Sequence, residues 1–532
     1  MINATRFRMK PYIKPFEKAL ALEELEQLSG AVLNPSTVNN DGTEYTVNLD
    51  GRGESVVKKL AYWEAYGEGE KLTPQVIREA SVAAARNGKS LEEIISAHED
   101  DFVTRIPRRR SLRYGTHGIH EYRGKFFPQL VRALINISGI EDHSAILDPM
   151  CGSGTTIVEA ITEGHRGIGF DMNPLSVFVS NVKCKLLFSS PKVLIEAFEQ
   201  LERALETTYA TNLPRLPKDN EYLNAWFASE VLAELDQIVA AIASVGSQEA
   251  QDLFRVALSN VLRSLSYQKE ADLRVRREEK SFARGSAFTA FRAEALKSTK
   301  SVIAYLRCGG LETLGCHEVL SGDARSFAET GAVPKESVDL VITSPPYATA
   351  LPYLDTDRLS LIYLGLLPRT SHRARDTEMI GNREVTERGR RELWSDYEER
   401  EAGLPESVKA LVARISDENS AGKVGFRRKN LPALLGRYFL DMRQVLSETY
   451  KSLKPNGTAF FVVGNNRTNT PFGEVEIRTA QLLGEIAEAV GFERLDTTSM
   501  DMLSSRDLFS KNQTPSEHII RLRKSVVAET AR

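Results

Sequence analysis

The 532-residue chain is poor in cysteine, with Cys151, Cys184, Cys308 and Cys316 its only four. Their spacing offers neither paired metal ligands nor a secreted disulfide framework. No apolar run approaches the roughly 18 residues of a membrane helix. The stretch "MINATRFRMKPYIKPFEKAL" lacks a signal-peptide core, so the sequence points to a cytoplasmic location. Charge of one sign is not in excess either: the net charge is −3, so no global basic field marks a polyanion partner. Internal repeats and low-complexity tracts are absent. The motifs H-x-E and P-C-x-x-C of zinc deaminases are missing in usable form, and no metal is expected. His117, His120 and His143 stand apart from metal partners and read as structural, although His120 and Tyr122 sit where a substrate contact is conceivable.

What is present is a globular composition, 42% hydrophobic and 27% charged, in a chain long enough for two or three domains. Local basic clusters do occur, at 105–115 (RIPRRRSLRYG), 273–280 (LRVRREEK), 387–392 (ERGRRE) and 426–430 (FRRKN). Residues 1–104 read as mainly helical, with a turn-rich stretch able to hold a short hairpin and no visible chemistry. From about 144 strands and helices alternate, the pattern of a doubly wound, mostly parallel α/β sheet. The first half of that domain spans 105–185. A helical insertion follows at 186–312, where apolar residues recur at i, i+3, i+4 and i+7. Residues 313–366 resume the alternation. Residues 367–430 are polar and charge-dense, an inserted loop or small subdomain, and 431–532 complete the sheet, with two late strands suggesting an antiparallel edge.

Three strand ends carry candidate chemistry. In "LDPMCGSGTTIVEA" a strand ends at Asp148, and Gly152-Ser-Gly154 opens a helix through Thr155. Glycines let a ligand approach the backbone, and the helix start supplies free N–H groups. A phosphate loop would need a lysine after the second glycine, and G-x-G-x-x-G does not fit. An acid before the glycines would repel pyrophosphate but welcome a cationic amino-acid group such as that of S-adenosylmethionine. In "GIGFDMNPLS" Asp171 ends the next strand, an acceptor pair suited to ribose hydroxyls. In "SGDA" Asp323 ends a third, suited to an adenine amine. The fourth strand runs into "TSPPY". Ser344 and the carbonyl of Pro345 can both accept from an exocyclic amine, Pro346 stiffens the elbow, and Tyr347 offers a face for an unstacked base.

These residues resemble the S-adenosylmethionine-dependent DNA amino-methyltransferases. "DPMCGSGT" is similar to the family's cofactor motif and "SPPY" to its catalytic [DNS]-P-P-[YFW] motif; Ser in the first place is typical of the cytosine-N4 type. "THGIHEYRGKFFPQLVRALI" resembles the segment that closes over the methionine end of the cofactor, with Lys125, Phe126 and Pro128 matching K-F-x-P. The resemblance covers roughly 115–185 and 315–525. It implies a seven-stranded methyltransferase sheet and S-adenosyl-L-methionine as cofactor, held by Lys125, Phe126, Asp148, Met150, Gly152, Gly154, Thr155, Asp171, Met172, Asp323 and Ala324. It implies catalysis by Ser344, Pro345, Pro346 and Tyr347 on a cytosine flipped from double-stranded DNA. Where such enzymes serve restriction-modification or phage defence, the partners include a cognate endonuclease or other defence-system subunits. DNA recognition is expected in 367–430. A cytosine-C5 mechanism is excluded because no cysteine follows a proline. Adenine-N6 methylation, guanine-N2 methylation of RNA and a catalytically silent DNA-binding subunit stay open as alternatives.

Overall fold

The computed structural model describes the chain except residues 1–3, 34–41, 50, 87, 103–107, 123–125, 210–219, 270–275, 309–310, 312, 349–352, 383–384, 502–515 and 526–532. At the N-terminus helix exceeds strand, but four strands form an antiparallel sheet that the turn-rich sequence only hinted at. They are β1 (Ala4–Met9), β2 (Glu44–Asn48), β3 (Trp63–Tyr66) and β4 (Lys71–Leu72), in the order β2-β1-β3-β4. The turn-rich stretch lies partly outside the described residues; its strand β2 pairs with the distant β1, Phe7 opposite Tyr45.

The central sheet has seven strands. They are β5 (Ala145–Asp148), β6 (Arg166–Asp171), β7 (His317–Ser321), β8 (Val338–Thr343) and β9 (Leu453–Gly464), then, after a two-stranded ribbon of β10 (Asn466–Thr470) and β11 (Gly473–Ile477), β12 (Phe492–Asp501) and β13 (Ser516–Lys524). The order is β12-β13-β9-β8-β5-β6-β7. All pairs from β9 to β7 are parallel, and β13 is antiparallel to both neighbours, so the reversed strand lies one place inside the edge. Strand order reverses between β5 and β8, the switch point at which open α/β sheets leave a crevice beyond their C-terminal ends.

Both faces of the sheet are covered, which is why its strands are nearly all apolar. In β9, Phe460 and Val462 join the core shared with the N-terminal module, together with Phe7, Trp63 and Leu134. Their neighbours Ala459, Phe461 and Val463 face the helices Phe426–Ser452 and Thr479–Val490. Residues 4–66 of the N-terminal module therefore cover one sheet face, while Leu91, Ile94 and Ala97 pack with the helical insertion. A buried ion cluster ties the module in. Glu159, on the helix after the glycine turn, accepts from Arg132 Nε at 2.9 Å, from His117 Nε2 at 2.7 Å and from the Tyr114 hydroxyl at 3.0 Å. Burial alone would push the Glu159 acid up; Arg132, His117 and the N-terminal Arg78 bring it down to about 2.

The insertion at 186–312 is largely helical, and its core around Leu201, Leu235 and Phe254 is shared with Leu91 and Ile94, with Leu175 and Val179, and with Leu354 and Leu361. Residues 367–430 take the form of a small helical subdomain rather than a loop. They fold as helices Arg369–Glu378, Glu387–Arg400 and Glu406–Ser420 and the start of Phe426–Ser452. The polarity misled because each helix buries only a narrow line, such as Val408, Val412 and Ile415. No described helix is long and apolar enough to cross a membrane, and no group of metal-ligating side chains occurs among the described residues.

Candidate active site

The site lies at the switch point. Leu147 pairs with Val341, which sets Asp148 at the end of β5 beside Ile342, two residues before Ser344, on parallel strands about 5 Å apart. After Asp148 the turn needs left-handed backbone, and Gly152 (φ 49°) and Gly154 (φ 77°) supply it. A Cβ on Gly154 would stand 2.7 Å from Ser180 Oγ, and one on Gly152 would stand 3.0 Å from the Tyr122 ring. The turn is braced from below: Ser180 Oγ donates to the Gly152 carbonyl at 2.8 Å, and the fully buried Lys183 ammonium donates to the Ser153 carbonyl at 2.9 Å. Burial brings the Lys183 ammonium down to about 7.

Two carboxylates face this turn. Burial pushes the Asp148 acid up to about 6, restrained by the hydroxyls of Thr343 and Thr156 and by the Met150 N–H rather than by any cation. Asp171 is also pushed up to about 6, first by burial; it accepts from Asn173 N at 2.8 Å and Gly152 N at 2.9 Å, and the charges of Asp148 and Asp357 raise it further. A buried carboxylate without a counter-cation gains from a cationic ligand. Asp171, with each oxygen spending one lone pair on the backbone, retains acceptors for hydroxyls.

The other expected residues distribute unevenly. Met150, Thr155 and Met172 flank the two turns, and Arg375 donates to the Met172 carbonyl at 3.3 Å. Ala324 is buried against the same sheet face as Phe327. Asp323 stands at the end of β7, but Arg325 grips both its oxygens, at 2.9 and 2.7 Å, and also Asp441 at 3.0 Å. Its acceptors are already engaged by an ion pair. Phe126 packs against the N-terminal core, and Lys125 lies outside the described residues. Tyr122, a candidate substrate contact in the sequence, stands beside the glycine turn: its hydroxyl meets Ser176 Oγ at 2.9 Å and its ring covers Gly152.

At the elbow the Ser344 hydroxyl donates to the Val462 carbonyl of β9 at 3.0 Å. Pro345 is buried and Pro346 partly exposed. The Tyr347 ring lies flat enough on β9 that a Cβ on Gly464 would stand 3.1 Å from it, and its hydroxyl donates to Glu517. Asn173, at the tip of the second turn, donates to Asp357 on the helix after the elbow at 2.9 Å, joining cofactor side to catalytic side.

Residues 119–215 match a family model described as the RMKL-like methyltransferase domain UPF0020. Over 66% of this chain and 77% of the relative, the sequence is 25% identical to the Type II methyltransferase M.MvaI of Kocuria varians. Over 77% of this chain and 84% of the relative it is 25% identical to M.BsoBI of Geobacillus stearothermophilus. A shorter stretch, 71 residues, is 42% identical to M.MjaII of Methanocaldococcus jannaschii. This chain is an S-adenosylmethionine-dependent methyltransferase, similar to the Type II enzymes. The buried Asp148, the open glycine turn and the acceptors of Asp171 fit S-adenosylmethionine as the methyltransferase's cofactor, which supplies an electrophilic methyl group on sulfonium sulfur.

Proposed function

We propose that this methyltransferase modifies the N4 amine of a cytosine turned out of duplex DNA. The observation that carries the reading is the Ser344 hydroxyl. Its proton is committed to the Val462 carbonyl at 3.0 Å, so toward the crevice it offers lone pairs alone. A hydroxyl so constrained selects an N–H donor. The Pro345 carbonyl is a second acceptor on the same rigid elbow. Two acceptors on one amine draw its nitrogen out of conjugation, so that its lone pair is available for attack. The amine then sheds its extra proton after the new N–C bond has formed, which requires no base with a matched pKa. Tyr347, held between Gly464 and Glu517, gives the base a flat surface to replace the stacking lost on leaving the duplex.

The relatives' Type II methyltransferase names support DNA as the substrate and a place beside a restriction endonuclease or in phage defence. The serine in the first motif position supports cytosine over adenine. The test is nucleoside mass spectrometry of genomic DNA and of bulk RNA after incubation with the purified chain and S-adenosylmethionine. N4-methylcytosine in DNA is expected. N6-methyladenine in its place, or methylation confined to RNA, would overturn the proposal.

A further inference from the structure

Resting on the duplex-DNA reading, we infer that the tip of the β10–β11 ribbon, with Phe472, and the adjoining helix start at 426–429 form a contact surface for double-stranded DNA flanking the flipped base.

The ribbon was not foreseen in the sequence, and its placement is specific. It begins two residues after Gly464, the glycine that floors Tyr347, so it grows directly from the rim of the active site. Its base is anchored by the buried Val475 and Ile477. Strands of five residues reach about 17 Å, or roughly five base steps along a duplex. The tip is locked rather than loose. The Phe472 N–H donates to Thr470 Oγ1 at 3.2 Å, and that hydroxyl donates to Glu418 Oε2 at 2.5 Å and lies 3.0 Å from the Gly473 carbonyl.

The same corner holds the helix start. Gly422 lies so close to Pro471 that a Cβ would meet it at 2.6 Å, and Asn419 Nδ2 donates to the Arg428 carbonyl at 2.9 Å. Two large aromatics are thereby displayed together, Phe472 70% exposed and Phe426 56% exposed. Single exposed apolar residues are ordinary, but two rings on one rigid corner, ringed by Lys423, Arg427, Arg428 and Lys429, are not. None of these four cations has a carboxylate within ion-pair distance among the described residues, and all are exposed. Several cations of the other basic clusters are spent internally. Arg110 pairs with Glu17 and Arg113 with Glu121, while Arg388, Arg390 and Arg391 pair with glutamates of their own helix. In a chain of net charge −3, four exposed cations beside two rings, of which Lys429 also feels the charge of Glu387, match a phosphate backbone with bases to wedge against.

The experiment measures binding of a fluorescein-labelled mixed-sequence 30-base-pair duplex, by anisotropy across a salt series, to the full chain and two variants. Phe472→Ala is expected to weaken binding about 5- to 100-fold, the range of losing one stacking contact. The triple variant Arg427→Ala/Arg428→Ala/Lys429→Ala is expected to reduce the slope of log K against log salt by about 2 to 3. Both must bind S-adenosylmethionine as the parent does, since all four positions are on the surface. If the parent methylates genomic DNA and both variants keep its affinity and salt slope, the surface is wrong while the functional reading stands. If the parent methylates only RNA, the functional reading fails and this surface with it. A loss of affinity equal for duplex DNA and for a single-stranded RNA of the same length would also overturn the assignment to duplex.

Discussion

Replacing Asp148 by asparagine should make the cofactor-free chain more stable and the cofactor weaker. The carboxylate sits at the end of β5 with hydroxyls and one N–H around it and no cation, and burial carries its acid from 3.8 to about 6. Between those values the folded chain holds a proton that the unfolded chain has released, so ionising Asp148 costs stability as pH rises through that window. The cost is about 3 kcal/mol at pH 7.5 and about half that at pH 5. An asparagine has nothing to ionise, keeps an oxygen for the Met150 N–H, and can donate to the threonine hydroxyls. Differential scanning calorimetry of Asp148→Asn should therefore show a higher melting temperature than the parent, with a larger gain at pH 7.5 than at pH 5. Isothermal titration at pH 7.5 should show S-adenosylmethionine binding about 10- to 100-fold weaker, the range of losing one charge-assisted hydrogen bond. An unaltered affinity, or a stability gain that does not grow with pH, would refute the assignment of Asp148 as an uncompensated carboxylate awaiting a cation.

Two further predictions concern the turn and the elbow. Ser344→Ala removes the proposed acceptor together with its bond to the Val462 carbonyl, and should lower kcat about 10- to 100-fold while calorimetric cofactor affinity stays that of the parent; a fall in affinity with unchanged kcat would contradict it. Gly154→Ala asks an alanine to adopt φ 77° with its methyl 2.7 Å from Ser180 Oγ. The backbone alone costs about 1–2 kcal/mol, and cofactor binding should be lost in titration while the far-UV spectrum is retained.

The site was legible in the sequence where backbone geometry dictates residue type. Gly152 and Gly154 adopt the left-handed conformations that the turn demands, and β8 ends where its prolines must end it. Legibility failed where a side chain chooses among neighbours. Asp323 is at its predicted strand end, yet Arg325, two residues on, claims the carboxylate that was expected to await an adenine. The braces beneath the glycine turn, Ser180 and Lys183, come from a helix whose sequence carries no motif, and only packing reveals them. Long-range pairing was likewise hidden: β1 finds β2 across a separation of some 40 residues, which no local pattern encodes. The helices of 367–430 were obscured by a different cause, since a helix burying one narrow line is mostly charge to the reader.

The buried cluster around Glu159 bears on how this chain can be divided. Its acid belongs to the cofactor helix, Arg132 and His117 to the segment before it, and Arg78 to the N-terminal module. Removing residues 1–104 would uncover the sheet face and take away one of the cations that hold Glu159 ionised in the dark. A minimal methyltransferase cut at that boundary would inherit the catalytic motifs without the scaffold that keeps their first helix charged and seated. The N-terminal module thus lends a charge to the cluster on the helix after the glycine turn, and a boundary drawn from motifs alone would cut through that cluster and through the core the module shares with the sheet.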